Sequence, residues 1–336
     1  MISRVAEHCV WLMRHVERAE SAARMLMVNR ALVPGEGALA PARWHPLVIA
    51  AGEEDNFIDR FSRAALNDGE QVQAYLTWDK QCAVSLRSAI FWARENARHI
   101  RETLTLEMWE SLNVMWLWLT EGEARALYDA ERHRMYEQVR EGCQQFHGAL
   151  DGTLPRTTAY QFMQLGKWLE RGGQTARLLD VHHYVLHRDD GLPPSPLEAA
   201  KWQAVLRSCS AHDALLKVSR KPFSGRSIAQ FLMLDPHFPR SIRYCLERAL
   251  ETLKGIHPEE GPHLGASTRQ RLGTLVGDLT GRSIDEHLDR GLQHSLTDII
   301  DRTAMVFSAV QQDYFEPPID LSTPLPPVPT PLADLQ

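Results

Sequence analysis

Strand signals are almost missing from this 336-residue chain. Runs of alternating β-branched residues are few, and no Asn-Gly or Asp-Gly turn joins two of them, which argues against a β or mixed fold. No stretch approaches the ~18 consecutive apolar residues that a membrane-spanning helix needs. The N-terminal MISRVAEHCVWLMRHVERAE is charged every few residues and lacks an unbroken apolar region, so no secretory signal is expected and a cytoplasmic location is. The five cysteines lie far apart with no Cys-x-x-Cys pair, excluding a redox or zinc motif of that kind and fitting a reducing compartment. Lys and Arg number 37 against 43 Asp and Glu, so net charge gives no drive toward nucleic acid or anionic lipid and leaves room only for a local basic groove. The glycine-rich phosphate and dinucleotide loops, the GxSxG elbow and a Cys/His nucleophile pair are all absent. No self-sufficient active site is advertised.

Helical spacing fills almost everything else. Val5, Cys9, Leu12, Val16, Ala19, Ala23 and Leu26 recur at steps of three and four, the stripe of one long helix ending before Pro34-Gly35. Ser195-Pro196-Leu197-Glu198 and Ser283-Ile284-Asp285-Glu286 read as capping boxes that open helices. The pattern predicts an all-α bundle of about ten to twelve helices, near 2–33, 43–66, 80–102, 105–120, 123–149, 155–187, 196–218, 238–254, 266–279 and 282–314, with short turns near 69–77 and 224–233.

A repeat organises these helices. At a shift of 153, Leu12, Glu17, Arg18, Ala23, Arg24, Leu26 and Val28 fall on Leu165, Glu170, Arg171, Ala176, Arg177, Leu179 and Val181. At a shift of 156, Leu76, Asp79, Ser85 and Arg87 fall on Leu232, Asp235, Ser241 and Arg243. The reading is a duplication, with residues 1–152 and 153–315 as pseudo-twofold-related halves sharing one core. Residues 316–336 carry seven prolines and read as an extended tail.

The duplicated signature is Glu-Arg followed by Arg: Glu17-Arg18 with Arg24, and Glu170-Arg171 with Arg177. Residues 17 and 24 share one helical face, while Arg18 points about 100° away from Glu17. In one reading each Glu pairs with an Arg of the other copy across a helix seam. In the other, Arg18, Arg24, Arg171 and Arg177 surround a carboxylate or phosphate, which suits the guanidinium fork. The readings are compatible. Gly166, Gly172 and Gly173 in mid-helix each cost ~1 kcal/mol relative to alanine, which points to a close approach by a helix or ligand. Asp79 and Asp235 read as helix N-caps, with a direct anion or metal role as the alternative. His182, His183 and His187 include an i, i+4 pair that could hold a metal, but the first copy has no counterpart, so no metal is expected. Trp109, Trp116 and Trp118, with Met108 and Met115, read as core or else as a partner surface.

Ser3-Arg4-Val5-Ala6-Glu7, Trp11-Leu12, Val16-Glu17-Arg18-Ala19-Glu20 and Ala23-Arg24 resemble the opening of the alpha-E proteins, the bacterial all-helical family named for its Glu-Arg motif. Ala93-Arg94-Glu95-Asn96-Ala97-Arg98, Glu107-Met108-Trp109-Glu110, Trp168-Leu169-Glu170-Arg171, and Phe231-Leu232-Met233-Leu234-Asp235-Pro236 followed by Phe238-Pro239-Arg240-Ser241 extend the resemblance across residues 2–315. The resemblance implies a genomic partner, a circularly permuted ATP-grasp ligase, and ATP-dependent peptide or amide bond formation on a peptide or amino-acid substrate. ATP and Mg would then enter through the ligase, with no cofactor intrinsic to this chain. Gly172-Gly173 departs from the family pattern, in which Ala-Asp or a similar pair is commoner. Two roles follow: an accessory, substrate-handling subunit, or an enzyme of the same pathway with Glu17 or Glu170 as general base and the arginines stabilising a carboxylate or acyl phosphate.

Overall fold

The computed structural model describes residues 3–31, 44–186, 195–219, 223–256 and 265–316, and among them there is helix and no strand. The first half runs α1 (Ser3–Ala31), α2 (His45–Ala51), α3 (Glu54–Arg60), a 3-10 turn at Arg63–Asn67, α4 (Gly69–Trp78), α5 (Leu86–His99), α6 (Leu106–Thr120) and α7 (Glu123–Thr153). The second runs α8 (Thr158–Val181), α9 (His183–Leu186), α10 (Pro196–Ser208), α11 (His212–Val218), α12 (Gly225–Leu234), α13 (Ile242–Ile256), α14 (Ala266–Thr280), α15 (Ile284–Asp289) and α16 (Leu292–Val310), closing with a π turn at Gln311–Phe315. The Pro-rich tail beyond residue 316 lies outside the described residues.

Several helices predicted as single pieces are broken, and the helix count exceeds the ten to twelve expected. The 43–66 segment stops at Gly52, whose φ of 74° caps α2 and turns the chain into α3. The 196–218 segment breaks at Ser210, φ 51°, and the 282–314 segment at Gly291, φ 91°. A single left-handed residue reverses the chain without disturbing apolar spacing on either side, so periodicity runs through it unmarked. Helices α5 and α13 start later than predicted because Ser85 and Ser241 cap them, accepting from the N–H groups of Ser88 and Tyr244. Asp79 and Asp235 are therefore not the N-caps expected. Each instead closes a turn just upstream, accepting from Gln81 N–H or from His237 and Phe238 N–H, while its carbonyl accepts from the serine hydroxyl. Both predicted capping boxes form, at Ser195–Glu198 and Ser283–Glu286.

The centre of the molecule is the pair α1 and α8. They run parallel, residue 10 beside 166 and residue 17 beside 171. Around them, α1 packs on α5 and α7, α8 on α13 and α16, and one continuous cluster of buried apolar residues reaches from Ala6 to Tyr314. Two of the mid-helix glycines are contact points: a Cβ at Gly166 would lie 2.4 Å from the Val10 carbonyl oxygen, and one at Gly172 3.1 Å from Cys245 Cβ. Gly173 faces Thr303 at an ordinary 3.9 Å. All five cysteines are free and buried. Met108 and Met115 lie in the core, but Trp109, Trp116 and Trp118 are only half-buried at its rim; Trp109 lies under Arg94 and Arg101, and Trp116 beside Phe91. Gly166→Ala should force the two central helices apart and lower stability by ~1–3 kcal/mol in denaturant unfolding, whereas Gly273→Ala, where no atom lies within 4 Å of the added Cβ, should be neutral or slightly stabilising.

Candidate functional site

The signature residues meet at the α1–α8 seam, and they meet reciprocally. Arg18 of α1 reaches Glu170 of α8 through Nε to Oε1 at 2.8 Å and Nη2 to Oε2 at 3.3 Å. Arg171 of α8 reaches Glu17 of α1 through Nε to Oε2 at 3.0 Å and Nη2 to Oε1 at 2.5 Å. Both carboxylates are almost fully buried. Adjacent residues lie ~100° apart on a helix, so a Glu-Arg dipeptide can straddle a seam with one side chain on each flank. Two such dipeptides in register on parallel helices satisfy one another.

Each carboxylate has further partners that sequence reasoning missed. Arg14 donates from Nε to Glu170 Oε2 at 2.8 Å, its guanidinium stacked on Phe307, and Gln174 donates to Oε1 at 2.9 Å. On the other flank, His147 Nε2 of α7 lies 3.0 Å from Glu17 Oε1 and 3.5 Å from Glu20 Oε2, close enough for charge attraction but not aligned for a hydrogen bond. Glu20, also buried, pairs with Arg24 one turn along α1 and with Arg240 Nη2 at 2.8 Å. Arg24 in turn donates to the hydroxyl of Ser210, the residue at φ 51°. Glu20 and Arg14 stand at helical steps of three and four from the signature and were legible as neighbours on its faces. The parts played by His147 and Arg240 come from distant segments and left no local signal.

The charge states follow from this geometry. Burial by itself would raise the pKa of Glu17, but Arg171 and then His147 outweigh it and hold the group at about 2. Burial is likewise overridden at Glu170 by Arg18 and Arg14, and at Glu20 by Arg240, so both lie well below the usual carboxylate range. Burial lowers the ammonium pKa of Lys167, and nearby Arg171 adds to that, while its ion pair with Asp151 at 3.3 Å opposes the shift.

Cavities open on both flanks. Arg24, Lys167, Arg171 and Arg240, with His147 and Glu20, line one of about 390 Å³. Arg18 and Arg177 line another of about 240 Å³ whose other walls are mostly apolar. Arg177 also lines a cleft of about 110 Å³ beside Arg14, Glu170 and Phe307. The four arginines proposed as an anion site are thus divided between two separate cavities, Arg24 and Arg171 in one, Arg18 and Arg177 in the other. Glu17, Glu20 and His147 form a trio close enough to share a cation, with potential ligand atoms within 4.8 Å of one another. Their carboxylates already face Arg171, Arg24 and Arg240, whose charges would repel a divalent ion, so the trio is built to hold guanidinium groups. His182 and His183 bond carbonyls in the last turn of α8, at Leu178 and Asp180; His187 lies outside the described residues.

A family model, Alpha-E, described as a predicted alpha-helical domain with a conserved ER motif, matches residues 1–315. No curated protein and no solved structure matches the chain.

Removing Arg171 leaves Glu17 buried and short of its main partner, so Arg171→Ala should cost ~3–5 kcal/mol in denaturant unfolding. A cost below about 1 kcal/mol, the level of an exposed pair, would contradict the geometry. An unfolded glutamate titrates near 4.5 and the folded Glu17 at about 2, so the pair's stability is complete above pH 4.5 and fades as pH falls toward 2. Unfolding free energy measured across that window should fall with acid in the native chain and fall less steeply in Glu17→Gln.

Proposed function

This chain belongs to the Alpha-E family, and from that membership and the α1–α8 seam we propose that it is the substrate-handling subunit of a circularly permuted ATP-grasp ligase that forms peptide or amide bonds. In such a ligation a substrate carboxylate attacks the γ-phosphate of Mg-ATP, releasing ADP. The resulting acyl phosphate is then attacked by an amine, forming the amide and releasing phosphate. ATP, Mg and the phosphoryl chemistry belong to the ligase. This chain would hold the carboxylate substrate.

One observation carries the choice of role: Glu17 and Glu170 are each clamped by arginine from the partner helix and held ionised far below neutral pH. A general base works best with a pKa near the working pH. Carboxylates this strongly stabilised are weak bases but good anchors: Glu170 fixes Arg14 and Arg18, Glu17 fixes Arg171, and Glu20 fixes Arg24 and Arg240 in the directions in which they present their remaining N–H groups. The alternative, an independent enzyme with Glu17 or Glu170 as base, asks these groups to give up that pairing in each turnover.

We also read the two halves as products of duplication. The matched elements support this: α1 with α8, α4 with α12, α5 with α13 and α6 with α14, each pair similar in length and packed on equivalent neighbours. The turn and cap at Asp79 and Ser85 recur at Asp235 and Ser241 with the same carbonyl-to-hydroxyl bond.

The test is ADP release by the purified ligase encoded beside this chain. Release should require both proteins, the chain alone should produce none, and the two should co-elute. Equal release without this chain would defeat the proposal, and substrate turnover by the chain alone would favour the independent enzyme.

A further inference from the structure

Arg177 differs from the other signature arginines. Arg18, Arg24 and Arg171 each hold a buried carboxylate, but Arg177 makes no ion pair or side-chain hydrogen bond among the described residues, although it lies close enough to Glu170 to help lower its pKa. Glu170 is already saturated by Arg14, Arg18 and Gln174. Three guanidinium groups therefore surround one carboxylate, and the surplus faces the 240 Å³ cavity. Arg18, which lines the same cavity, commits Nε and Nη2 to Glu170, and its Nη1 bonds no described residue. Arg177 and Arg18 together present the donor set of a carboxylate receptor.

The rest of the cavity narrows the ligand. A third charged residue lines it, Glu53, which is 6% exposed. Its Oε2 accepts from the Tyr75 hydroxyl at 2.7 Å and from Asn56 at 3.1 Å, while Oε1 accepts from no described residue. That oxygen stays accessible rather than sealed in the core, and an ammonium group in the cavity would give it a charge-assisted partner. The apolar part of the lining includes Met25, Leu26, Leu47, Leu76 and Val84. No lining residue is aromatic, so nothing there would stack on a nucleobase. The volume is below the ~300–1,000 Å³ of sites for drug-sized ligands, which fits one residue rather than a nucleotide or a long acyl chain. Gly52, at φ 74°, passes the cavity with no side chain to fill it.

We propose that this cavity binds a free α-amino acid with an apolar side chain of leucine or methionine size, its carboxylate on Arg177 and Arg18, its ammonium on Glu53 and its side chain on the Met25–Leu47–Leu76 wall. This names the substrate class for the substrate-handling reading and takes its biological meaning from that reading, but the binding itself requires no ligase.

Titration calorimetry on the full-length chain tests it with L-leucine as the probe. One-to-one binding is expected. Isocaproate, which lacks the ammonium, and isoamylamine, which lacks the carboxylate, should each bind at least ~10-fold more weakly, the scale of a lost charge-assisted hydrogen bond. Arg177→Gln should weaken leucine binding by a similar factor with an unchanged melting temperature, since no internal partner is orphaned. Glu53→Gln should weaken leucine binding and leave isocaproate unaffected, a split that loss of folding would not produce. No heat from L-leucine or L-methionine at about 10 mM, enough to saturate a site of ~1 mM Kd, would overturn the proposal. So would equal affinity for leucine and isocaproate, or full leucine affinity in Arg177→Gln. Leucine binding without any effect of this chain on ADP release would leave this site standing and remove the ligase role.

Discussion

Two glutamates buried between parallel helices set the terms for the rest of this molecule. A carboxylate removed from water is tolerated only when strong partners replace its hydration. Here Arg171 serves Glu17 and Arg18 serves Glu170. Because each partner comes from the other helix, the arrangement holds only when α1 and α8 lie side by side in one register. A slip of a single residue would turn each charged pair through ~100° and strand both carboxylates. Gly166 makes the required approach possible by letting the backbone of Val10 come within the space a side chain would take. A buried ion pair of this kind adds little net stability compared with apolar packing, but it penalises wrong registers heavily.

The seam also explains where the cavities lie. Each guanidinium carries five N–H donors, more than a shared carboxylate accepts, and the arginines of the seam line the cavities on both flanks. On the Glu17 flank, Glu20 and Asp151 join Glu17 in balancing Arg24, Arg171, Arg240 and Lys167, so most of the positive charge there is compensated internally. On the Glu170 flank compensation is incomplete, because Arg177 has no carboxylate of its own among the described residues. A repeated motif thus yields two unlike flanks, one largely self-neutralised and one left positive. The difference arises chiefly from Glu20, which gives Arg24 and Arg240 a carboxylate where the second copy has Gly173.

Much of the frame was legible beforehand. The all-helical class, the long first helix, the capping boxes at Ser195 and Ser283 and the Glu-Arg pairing option all rest on spacing within a few turns. The failures at Gly52, Ser210 and Gly291 share a cause: a left-handed residue interrupts a helix without changing the apolar period around it. Asp79 and Asp235 were placed correctly in turns but assigned the wrong bonds, because an aspartate and a serine six residues apart compete to cap the same helix and the serine lies nearer its first turn. The tryptophans of α6, which the sequence places in the core or else on a partner surface, lie half-buried at the rim, where Arg94 and Arg87 stack on two of them.

The all-helical class and the doubled Glu-Arg signature were readable from residue order alone, since both depend on spacing over short distances. Only the tertiary structure decided which arginine meets which glutamate, that His147 and Arg240 crowd Glu17 and Glu20, and that Arg177 is left over beside an apolar cavity. Those outcomes depend on which distant segments share a volume from which water is excluded. There the strength of each charge interaction is set by burial, a property that no local pattern of residues carries.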